Sequence, residues 1–444
     1  MIILGLGTNL GDRLANLRQA LHYLKVHPKI QVQNVSPVYQ SDAMLPENAP
    51  ANWALPFFNV ALSCCTALSP EALLTELKII ERRLGHNDAM HWAPREIDID
   101  ILMWHNKIVN TEQLTIPHGG LYKRPFALWP LMDLYSTWNY PSEILESWGS
   151  RFTGDAPFHT RQIPYRIDGS VFVGALNITP DSFSDGGCFE SADAALEQAK
   201  HLFASGAEVI DIGAESTRPD ESQTITNAEE WRRLVKPLQS IIDFWADQDF
   251  KPKLSIDTRN HSVAAEAIAL GIDWINDVTG FTDVKMLEVV RDSNVKLVCM
   301  HSLGLPPTQD KLIPLSSDPV AHIISWGEQK LKVLQENGIL LERIIFDMGI
   351  GFGNTPEQCL RLLKCAHEFK QLDVPIMVGH SRKSFHKVVS AVPAAERDLE
   401  TAITSIDLFT QGVDYIRVHD VVYSARAVAM QKRLDSLNET SKIF

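Results

Sequence analysis

The sequence predicts two domains in one chain: an α+β domain of the ferredoxin-like kind, followed by a (β/α)8 TIM barrel. At 444 residues the chain exceeds the length of one ordinary domain. After residue 170, eight short apolar stretches alternate with helix-length segments, as expected for parallel strands that are buried on both faces. The front third has more strands than helices, which favours a sandwich with two βαβ-type halves. We expect the first domain at 1–158, a linker at 159–168 and the barrel at 169–444.

Composition narrows the class of protein. With 45% apolar and 22% charged residues, both domains can bury a core. The net charge of -14, from 41 basic and 55 acidic residues, argues against nucleic acid as a partner. No apolar run approaches the roughly 18 residues of a membrane span, and the first residues lack the basic start of a signal or transit peptide. Since the six cysteines form no Cys-x-x-Cys pair, we expect a cytoplasmic protein with reduced thiols and no membrane partner.

The front domain begins with strand, loop and helix. Ile2–Leu6 is apolar enough for a strand, Gly7–Gly11 follows as a tight loop, and Arg13–Lys25 has apolar positions at helical spacing. Prolines and glycines interrupt the pattern from about Tyr140 to Asp168, which marks the connection between the domains. The remaining expected elements are strands at Val32–Tyr39, Phe57–Cys65 and Ile97–Trp104 and a helix at Pro70–Leu84 that Ser69 caps.

A strictly alternating segment carries the first candidate site. On a strand, Asp98 and Asp100 point to one face while the intervening isoleucines point into the core. Two carboxylates at this spacing suit magnesium, although a half-solvated strand with an acidic outer face is about equally compatible with the spacing alone. The nearby Arg95, His118 and Arg124 favour a polyphosphate ligand, because guanidinium groups pair with phosphate oxygens.

The front domain resembles 6-hydroxymethyl-7,8-dihydropterin pyrophosphokinase. Gly7–Gly11 matches the family's Gly-x-Asn-Leu-Gly motif, and Trp92–Asp100 matches its Trp-Gly-Pro-Arg-x-x-Asp-x-Asp motif. The resemblance implies that ATP gives its diphosphate to the pterin hydroxymethyl group. The implied roles are catalysis by Arg95, Asp98 and Asp100, ATP binding by Arg95, His118 and Arg124, pterin binding by Asn59, Trp92 and Phe126, and two magnesium ions on Asp98 and Asp100.

One loop departs from that family. Between Gly85 and Ala93 many relatives carry arginines, whereas this chain has His86, Asn87 and His91. We therefore expect less positive charge over the phosphates, and either a lower kinase rate or compensation by Arg82 and Arg83.

The eight apolar runs of the rear domain nearly all end in a residue capable of chemistry. In a (β/α)8 barrel, catalytic groups lie at the C-terminal ends of the strands, so this pattern indicates an enzyme. The expected strands are Val171–Ile178, Val209–Ser216, Lys253–Thr258, Trp274–Val278, Val295–His301, Ile344–Gly349, Pro375–Ser381 and Tyr415–Asp420.

The rear domain resembles dihydropteroate synthase. The resemblance rests on the ordered segments Asn177–Gly187, Asp211–Pro219, Ser255–Thr258, Ile275–Val278, Asp347–Gly353, Gly379–Phe385 and Arg417–Asp420. It implies that a pterin diphosphate condenses with p-aminobenzoate and releases pyrophosphate. The implied roles are pterin binding by Asp257, Asn276, Asp347 and Lys383, diphosphate binding by Arg417 and His419, p-aminobenzoate binding by Thr217, Pro219 and Ser384, catalysis by Lys383 and Arg218, and one magnesium ion on Asn177.

Two other functions fit parts of the sequence. A pterin-dependent methyltransferase shares the barrel and its Asp and Asn positions, but Lys383 and the Arg417-x-His419 pair argue against it. A folate-binding scaffold with a dead front site is disfavoured by the intact Asp98 and Asp100. We expect two consecutive activities on small molecules and a possible homodimer through the barrel.

Some polar barrel positions have no assigned role. His301 and His380 are as compatible with a structural role as with a substrate contact, and Asp211 is expected to be a structural hydrogen-bond acceptor inside the barrel mouth.

Overall fold

The chain forms two compact units, one of Met1–Asp168 with Ser436–Phe444 and one of Gly169–Asp435. The structure is a computed structural model. It describes residues 2–86, 92–105, 107–119, 121, 125–135, 160–163, 165–178, 188–215, 225–248, 250–305 and 311–440.

The first unit is an antiparallel sheet covered by helices, which confirms the predicted α+β class. Its strands run in the order β5-β1-β4-β3-β8, with β2 also pairing with β4 and a separate two-stranded ribbon of β6 and β7. The strands are β1 (Ile2–Thr8), β2 (Ile30–Val35), β3 (Tyr39–Ser41), β4 (Phe57–Thr66), β5 (Asp98–Trp104), β6 (Val109–Asn110), β7 (Thr115–Ile116) and β8 (Thr160–Gln162), and the helices are α1 (Arg13–Val26), α2 (Pro70–Arg83) and α3 (Pro125–Tyr135).

Strand β1 lies between β4 and β5 and aligns the polar residues of these three strands. Gly7 on β1 is opposite Asn59 on β4 and opposite Asp98 on β5. One sheet face, which includes Ile3 and Leu102, packs with the apolar residues of α3. Because the core fixes this face, the register places the chemically active residues of three strands side by side.

Two stretches of the first unit differ from the expected elements. The predicted strand Val32–Tyr39 is two strands, because Pro37 has no N–H for the ladder and Ser36 instead bonds to Ala61 through both its backbone and its hydroxyl. Within the predicted linker, Thr160–Gln162 forms an edge strand that pairs with Tyr39–Ser41.

The second unit is a closed parallel barrel, as predicted. Its strands follow one another in chain order, and Tyr415 on the last strand pairs with Val171 on the first to close the ring. The strands are β9 (Val171–Asn177), β10 (Ala207–Gly213), β11 (Lys253–Asp257), β12 (Trp274–Asp277), β13 (Lys296–Met300), β14 (Ile344–Asp347), β15 (Ile376–Gly379) and β16 (Tyr415–Val418), and the helices are α4 (Cys188–Ala204), α5 (Asn227–Trp245), α6 (His261–Ala269), α7 (Val284–Arg291), α8 (Pro319–Glu336), α9 (Pro356–Lys364), α10 (Asp398–Thr410) and α11 (Val421–Thr440).

The barrel interior changes from apolar to polar along the strands. A layer that includes Val209, Trp274 and Ile345 fills its centre. Since side chains alternate between the faces of a strand, the next inward positions lie two residues further along. Those positions carry the polar residues Asp211 on β10, Asn276 on β12, Asp347 on β14 and Arg417 on β16.

Among the described residues, no helix is both long and apolar enough to span a bilayer.

Candidate active sites

A cavity of about 520 Å³ in the first unit brings the predicted kinase residues together. It extends across β1, β4 and β5 and is lined by seven of them: Asn59, Trp92, Arg95, Asp98, Asp100, His118 and Phe126. Arg124 lies outside the described residues.

The two aspartates of β5 face this cavity while the residues between them face the core. Ile97 and Ile99 are fully buried, whereas Asp98 and Asp100 are half-buried. Arg95 Nη1 lies 3.2 Å from Asp98 Oδ2. In the described parts of the chain, no cluster of three or more His, Cys, Asp or Glu side chains could hold a metal ion. Two carboxylates on one face fit magnesium, which takes its remaining ligands from water and substrate phosphates.

The opening glycine-rich motif supports the loop that carries Arg95. The side-chain oxygen of Asn9 accepts a hydrogen bond from the backbone N–H of Arg95 at 2.8 Å. The backbone N–H groups of Asn9 and Leu10 in turn donate to the Arg95 carbonyl at 3.1 and 3.2 Å. These three bonds hold Arg95 beside Asp98, so the motif acts here as a clasp between β1 and the loop before β5.

A Lys–Glu pair on α2 extends the carboxylate site and was not predicted from sequence. Lys78 Nζ lies 2.8 Å from Glu81 and 3.7 Å from Asp98 Oδ1, and it lines the cavity. The fully buried Glu81 also accepts the backbone N–H of Ile99 at 2.6 Å. Glu81 follows Leu73 and Leu77 at four-residue spacing, so an acid on the apolar stripe of a helix was the available signal.

The charges of this pair support each other. Burial raises the pKa of Glu81, and Lys78 opposes that shift. Burial lowers the pKa of Lys78, but Glu81 and Asp98 more than offset it, so that the pKa is raised overall. Lys78 therefore places a stable positive charge at the edge of the carboxylate site.

The predicted pterin residues lie on another part of the cavity wall. Asn59 is buried and donates from Nδ2 to Ser41 Oγ at 3.0 Å. Trp92 is 40% exposed and has a left-handed backbone with φ of 72°. Phe126 on α3 is half-buried. Two aromatic rings and an amide on one cavity wall are suited to a flat heterocycle with hydrogen-bonding edges.

The predicted arginine-poor loop is only partly described. His86 Nδ1 lies 2.8 Å from the carbonyl oxygen of Ile97, which ties the loop start to β5. Residues 87–91 lie outside the described residues, so the effect of this loop on the kinase rate stays a prediction.

Arg417 is the centre of the polar cluster in the barrel mouth. Its Nε donates to Asp211 Oδ2 at 2.6 Å and its Nη2 donates to Asp257 Oδ2 at 3.0 Å. Asn276 Nδ2 donates to the same Asp211 oxygen at 2.9 Å. Asp347 accepts the backbone N–H of Gly349 at 2.8 Å. The strand ends thus bring together carboxylate, amide and guanidinium groups from β10, β11, β12, β14 and β16.

Burial moves several of these groups toward titration near neutral pH. Burial, together with the nearby Asp211 carboxylate, raises the pKa of Asp257 to about 7. Burial lowers the pKa of Lys383 to about 8, although Asp347 opposes the shift. Burial would lower the pKa of Arg417, but the carboxylates beside it raise the pKa further. The Lys383 ammonium donates to the Ile350 carbonyl and lies 4.7 Å from the Phe352 ring centroid.

The other predicted barrel residues are distributed around this cluster. The backbone N–H of His419 donates to Ser381 Oγ at 3.2 Å, and its Nδ1 lies 3.1 Å from the same oxygen. Asn177 ends β9 opposite Gly213. Ser384 is exposed at the start of a short 3-10 helix, Ser384–Val388. The predicted residues Thr217, Arg218 and Pro219 lie outside the described residues.

His301 and His380 are both fully buried, and burial lowers the pKa of each to about 4. His380 Nε2 lies 3.0 Å from the carbonyl of Thr401 and 3.2 Å from Ser405 Oγ, both on α10. The ring of His301 packs edge-on against Trp326 with centroids 4.9 Å apart. Both rings are therefore uncharged at neutral pH.

The fold and these two constellations define a two-domain enzyme with a polyphosphate site in front and a second site at a barrel mouth. Residues 3–136 match the family described as 7,8-dihydro-6-hydroxymethylpterin-pyrophosphokinase, and residues 173–419 match the family described as pterin binding enzyme.

Similar proteins carry both units in one chain. The folate synthesis bifunctional protein of Chlamydia caviae is 36% identical over 442 residues, which cover 96% of this chain and 97% of the relative. The mitochondrial folate synthesis bifunctional protein of Arabidopsis thaliana is 34% identical, with 96% of this chain and 81% of the relative covered. The chain therefore belongs to the family of bifunctional folate synthesis proteins.

Solved structures match the barrel. Dihydropteroate synthase from Anaplasma phagocytophilum with bound 6-hydroxymethylpterin-monophosphate is 37% identical, with a TM-score of 0.54, and the match covers 60% of this chain and 99% of that one. The Xanthomonas albilineans enzyme in complex with 7,8-dihydropteroate is 27% identical, with a TM-score of 0.53 and coverage of 61% and 95%.

Family membership establishes the two activities. The chain transfers diphosphate from ATP to 6-hydroxymethyl-7,8-dihydropterin, and it condenses the pterin diphosphate with p-aminobenzoate to give 7,8-dihydropteroate and pyrophosphate. Both predicted activities are thereby confirmed, and neither the methyltransferase nor the scaffold alternative holds.

Proposed function

We propose that Asp98 and Asp100 hold two magnesium ions at the kinase site while Arg95, His118 and Arg124 contact the ATP phosphates. The main support for this proposal is that both carboxylates face one cavity, in which Arg95 Nη1 lies 3.2 Å from Asp98 Oδ2. When bound, magnesium supplies charge that neutralises the phosphate oxygens. Arg95 can exchange its carboxylate partner for a phosphate, because guanidinium pairs well with both.

Asn59, Trp92 and Phe126 bind the pterin in the same cavity. The buried amide of Asn59 offers its oxygen to a ring N–H, since its nitrogen already donates to Ser41. The two aromatic side chains provide faces against which a flat ring can stack. In this proposal the pterin hydroxyl group lies near the carboxylate pair, where it would accept the diphosphate.

At the barrel mouth, Asp257, Asn276, Asp347 and Lys383 bind the pterin, and Arg417 and His419 bind its diphosphate. Carboxylates and an amide suit the donor-rich edge of a pterin, while the guanidinium suits phosphate oxygens. Burial raises the pKa of Asp347, and such shifts are common for carboxylates in ligand-binding sites. Asn177 holds one magnesium ion through its amide oxygen.

The condensation needs positioning and charge more than a protein nucleophile. The C–O bond to the diphosphate breaks and its electron pair leaves with pyrophosphate. The p-aminobenzoate nitrogen then forms the C–N bond and releases a proton. Lys383 and Arg218 stabilise the departing charge, and Thr217, Pro219 and Ser384 contact p-aminobenzoate. The family match supports these roles, and the nearby Asp347 supports the one proposed for Lys383.

Separate assays of the two reactions test these assignments, and expression of residues 1–158 and 169–444 as separate chains tests the expected division with a linker at 159–168. Asp98→Ala should abolish pterin diphosphate formation and leave condensation from supplied diphosphate intact, whereas Lys383→Ala should do the reverse. Glu76→Ala and Lys364→Ala are matched controls, because these residues pair with His27 and Asp407 outside both sites. Retention of kinase activity in Asp98→Ala would reject the metal assignment.

We further propose that two copies pair through the last barrel helices. Leu399 and Ile403 are 67% and 60% exposed on one face of α10, and Tyr423 and Met430 are 55% and 59% exposed on α11. Sedimentation should give a dimer for the natural chain and a monomer for Ile403→Glu. A monomeric natural chain would reject the pairing.

We also propose a cytoplasmic location, whereas some plant relatives carry the word mitochondrial in their names. Fractionation of the source cells tests it, and recovery of the chain from an organelle would reject it.

A further inference from the structure

One buried carboxylate contacts residues assigned to both halves of the pterin diphosphate. Asp211 is 1% exposed at the inward position of β10. Its Oδ2 accepts from Arg417 Nε at 2.6 Å and from Asn276 Nδ2 at 2.9 Å. A single oxygen atom therefore joins the residue proposed for the diphosphate to a residue proposed for the pterin ring.

Asp257, which we propose as a pterin ligand, also binds the Arg417 guanidinium, at a different nitrogen from Asp211. Arg417 Nη2 donates to Asp257 Oδ2 at 3.0 Å. A pterin that donates its ring N–H groups to Asp257 competes for that carboxylate and releases Nη2. Since Asp211 still accepts from Nε, the guanidinium keeps its place, and Nη2 becomes available to donate to the diphosphate. A diphosphate that arrives without a pterin must itself break the Arg417–Asp257 pair.

We propose that Asp211 is a positioning residue that couples the two halves of this site, so that pterin binding increases the affinity for pyrophosphate. The proposal rests on the pterin and diphosphate assignments given above. Thermodynamic linkage makes the effect reciprocal: pyrophosphate increases the affinity for the pterin by the same factor. The intact substrate benefits from this coupling because its two parts arrive together.

The remaining oxygen of Asp211 is consistent with a role that includes the substrate. Among the described residues, no hydrogen-bond partner is found for Asp211 Oδ1 or for Ser255 Oγ, and both atoms are buried. These two residues are paired in register on β10 and β11. A buried carboxylate oxygen without a protein partner destabilises the fold unless a ligand or water donates to it. This is compatible with a position of Asp211 below the proposed pterin site, deeper in the barrel.

Double-inhibition kinetics of the full chain measure the coupling. Dihydropteroate formation is started from supplied pterin diphosphate and p-aminobenzoate, and is inhibited by 6-hydroxymethylpterin and pyrophosphate, singly and together. The coupling factor is the ratio of the pyrophosphate inhibition constant for the free site to that for the pterin-bound site, obtained from plots of reciprocal rate against pyrophosphate concentration at several fixed, subsaturating pterin concentrations. Only the barrel makes dihydropteroate, so inhibitor bound at the kinase site does not enter this readout.

The natural chain should give a coupling factor of at least about five. Asp211→Ala should bring the factor close to one, because the atom that joins the two halves is gone. Asp277→Asn is the matched control and should keep the natural factor, since Asp277 is also buried at the end of a barrel strand but hydrogen-bonds to Thr279 and Phe281. A merely structural role for Asp211 would weaken both inhibitors singly and leave the factor unchanged.

Thermal unfolding and far-ultraviolet circular dichroism establish whether each variant folds. If Asp211→Ala does not fold, Asp211→Asn preserves the shape, removes the charge and should at least halve the factor. A natural factor of one, or a folded variant with the natural factor, overturns the proposal. Failure of the site assignments looks different: Arg417→Ala would then leave the pyrophosphate constant unchanged, or Asn276→Ala would leave the pterin constant unchanged.

Discussion

The opposite pKa shifts of Lys383 and Asp257 predict a narrow pH range for the synthase reaction. Burial lowers the pKa of Lys383 to about 8 and raises that of Asp257 to about 7. The protonated lysine predominates below pH 8, and the ionised aspartate predominates above pH 7. Because kcat/KM reports the ionisation of the free enzyme, it should be highest between about pH 7 and 8.

The steepness of both limbs follows from simple titration. At pH 8 half of the Lys383 side chains are protonated, and at pH 9 roughly one in eleven is. We therefore expect kcat/KM to fall about five-fold over that interval and about ten-fold for each further pH unit. The acid limb should mirror this below pH 7, as Asp257 takes up a proton and can no longer accept hydrogen bonds from the pterin through both oxygens.

The assay is condensation by the full chain from supplied pterin diphosphate, with kcat/KM measured between about pH 5.5 and 10. Lys383→Arg should lose the basic limb, because a guanidinium stays charged throughout, and Asp257→Asn should lose the acid limb. Lys364→Ala, on an exposed part of α9, should keep the natural profile. A natural profile that stays flat above pH 8, or a basic limb that survives in Lys383→Arg, would refute the assignment to Lys383. An acid limb that survives in Asp257→Asn would show that this limb reports ionisation of the substrate.

Three further outcomes are expected. The pKa of about 4 for both His301 and His380 lies below the ordinary value of 6.5, so the unfolded chain binds more protons than the folded chain between these values. Acidification from pH 6.5 to 4 should therefore lower the free energy of unfolding of the barrel by roughly 3 kcal/mol per histidine in urea titrations. A free energy of unfolding that does not change with pH would contradict this. Glu81→Ala should lower the free energy of unfolding by roughly 3 kcal/mol or more, because it leaves Lys78 and the Ile99 N–H without their buried acceptor. An unchanged melting temperature would be evidence against this stabilising role of Glu81. Lys78→Met should lower the magnesium concentration that half-activates the kinase, because it removes a cation 3.7 Å from Asp98 that competes with magnesium for this carboxylate. A higher magnesium requirement would contradict such competition.

Local patterns were sufficient to predict most of the fold. The eight barrel strands were predictable because a strand buried on both faces must be apolar throughout, as in Ile344–Asp347. The Asp98 and Asp100 face was predictable because alternation alone fixes which side chains share a side of β5. Helix Pro125–Tyr135 was not predicted: it contains Pro130, which breaks a helical pattern in sequence.

Contacts between distant elements were beyond such patterns. Arg417 and Asp211 are 206 positions apart and meet only because the barrel closes, so their 2.6 Å bond has no local signature. The pairing of Lys78 with Asp98 likewise depends on how α2 packs on β5. Sequence motifs thus indicate which chemistry is present, whereas packing determines which of the charged groups neutralise one another.

The clasp between Asn9 and Arg95 has a consequence for recombination. The two motifs are 86 positions apart, yet each supplies half of one set of hydrogen bonds. A crossover between them would combine the opening motif of one relative with the arginine loop of another, and the kinase would survive only if both parents use compatible loop geometry. Asn9 and Arg95 are therefore expected to be inherited together, although 86 positions of sequence separate them.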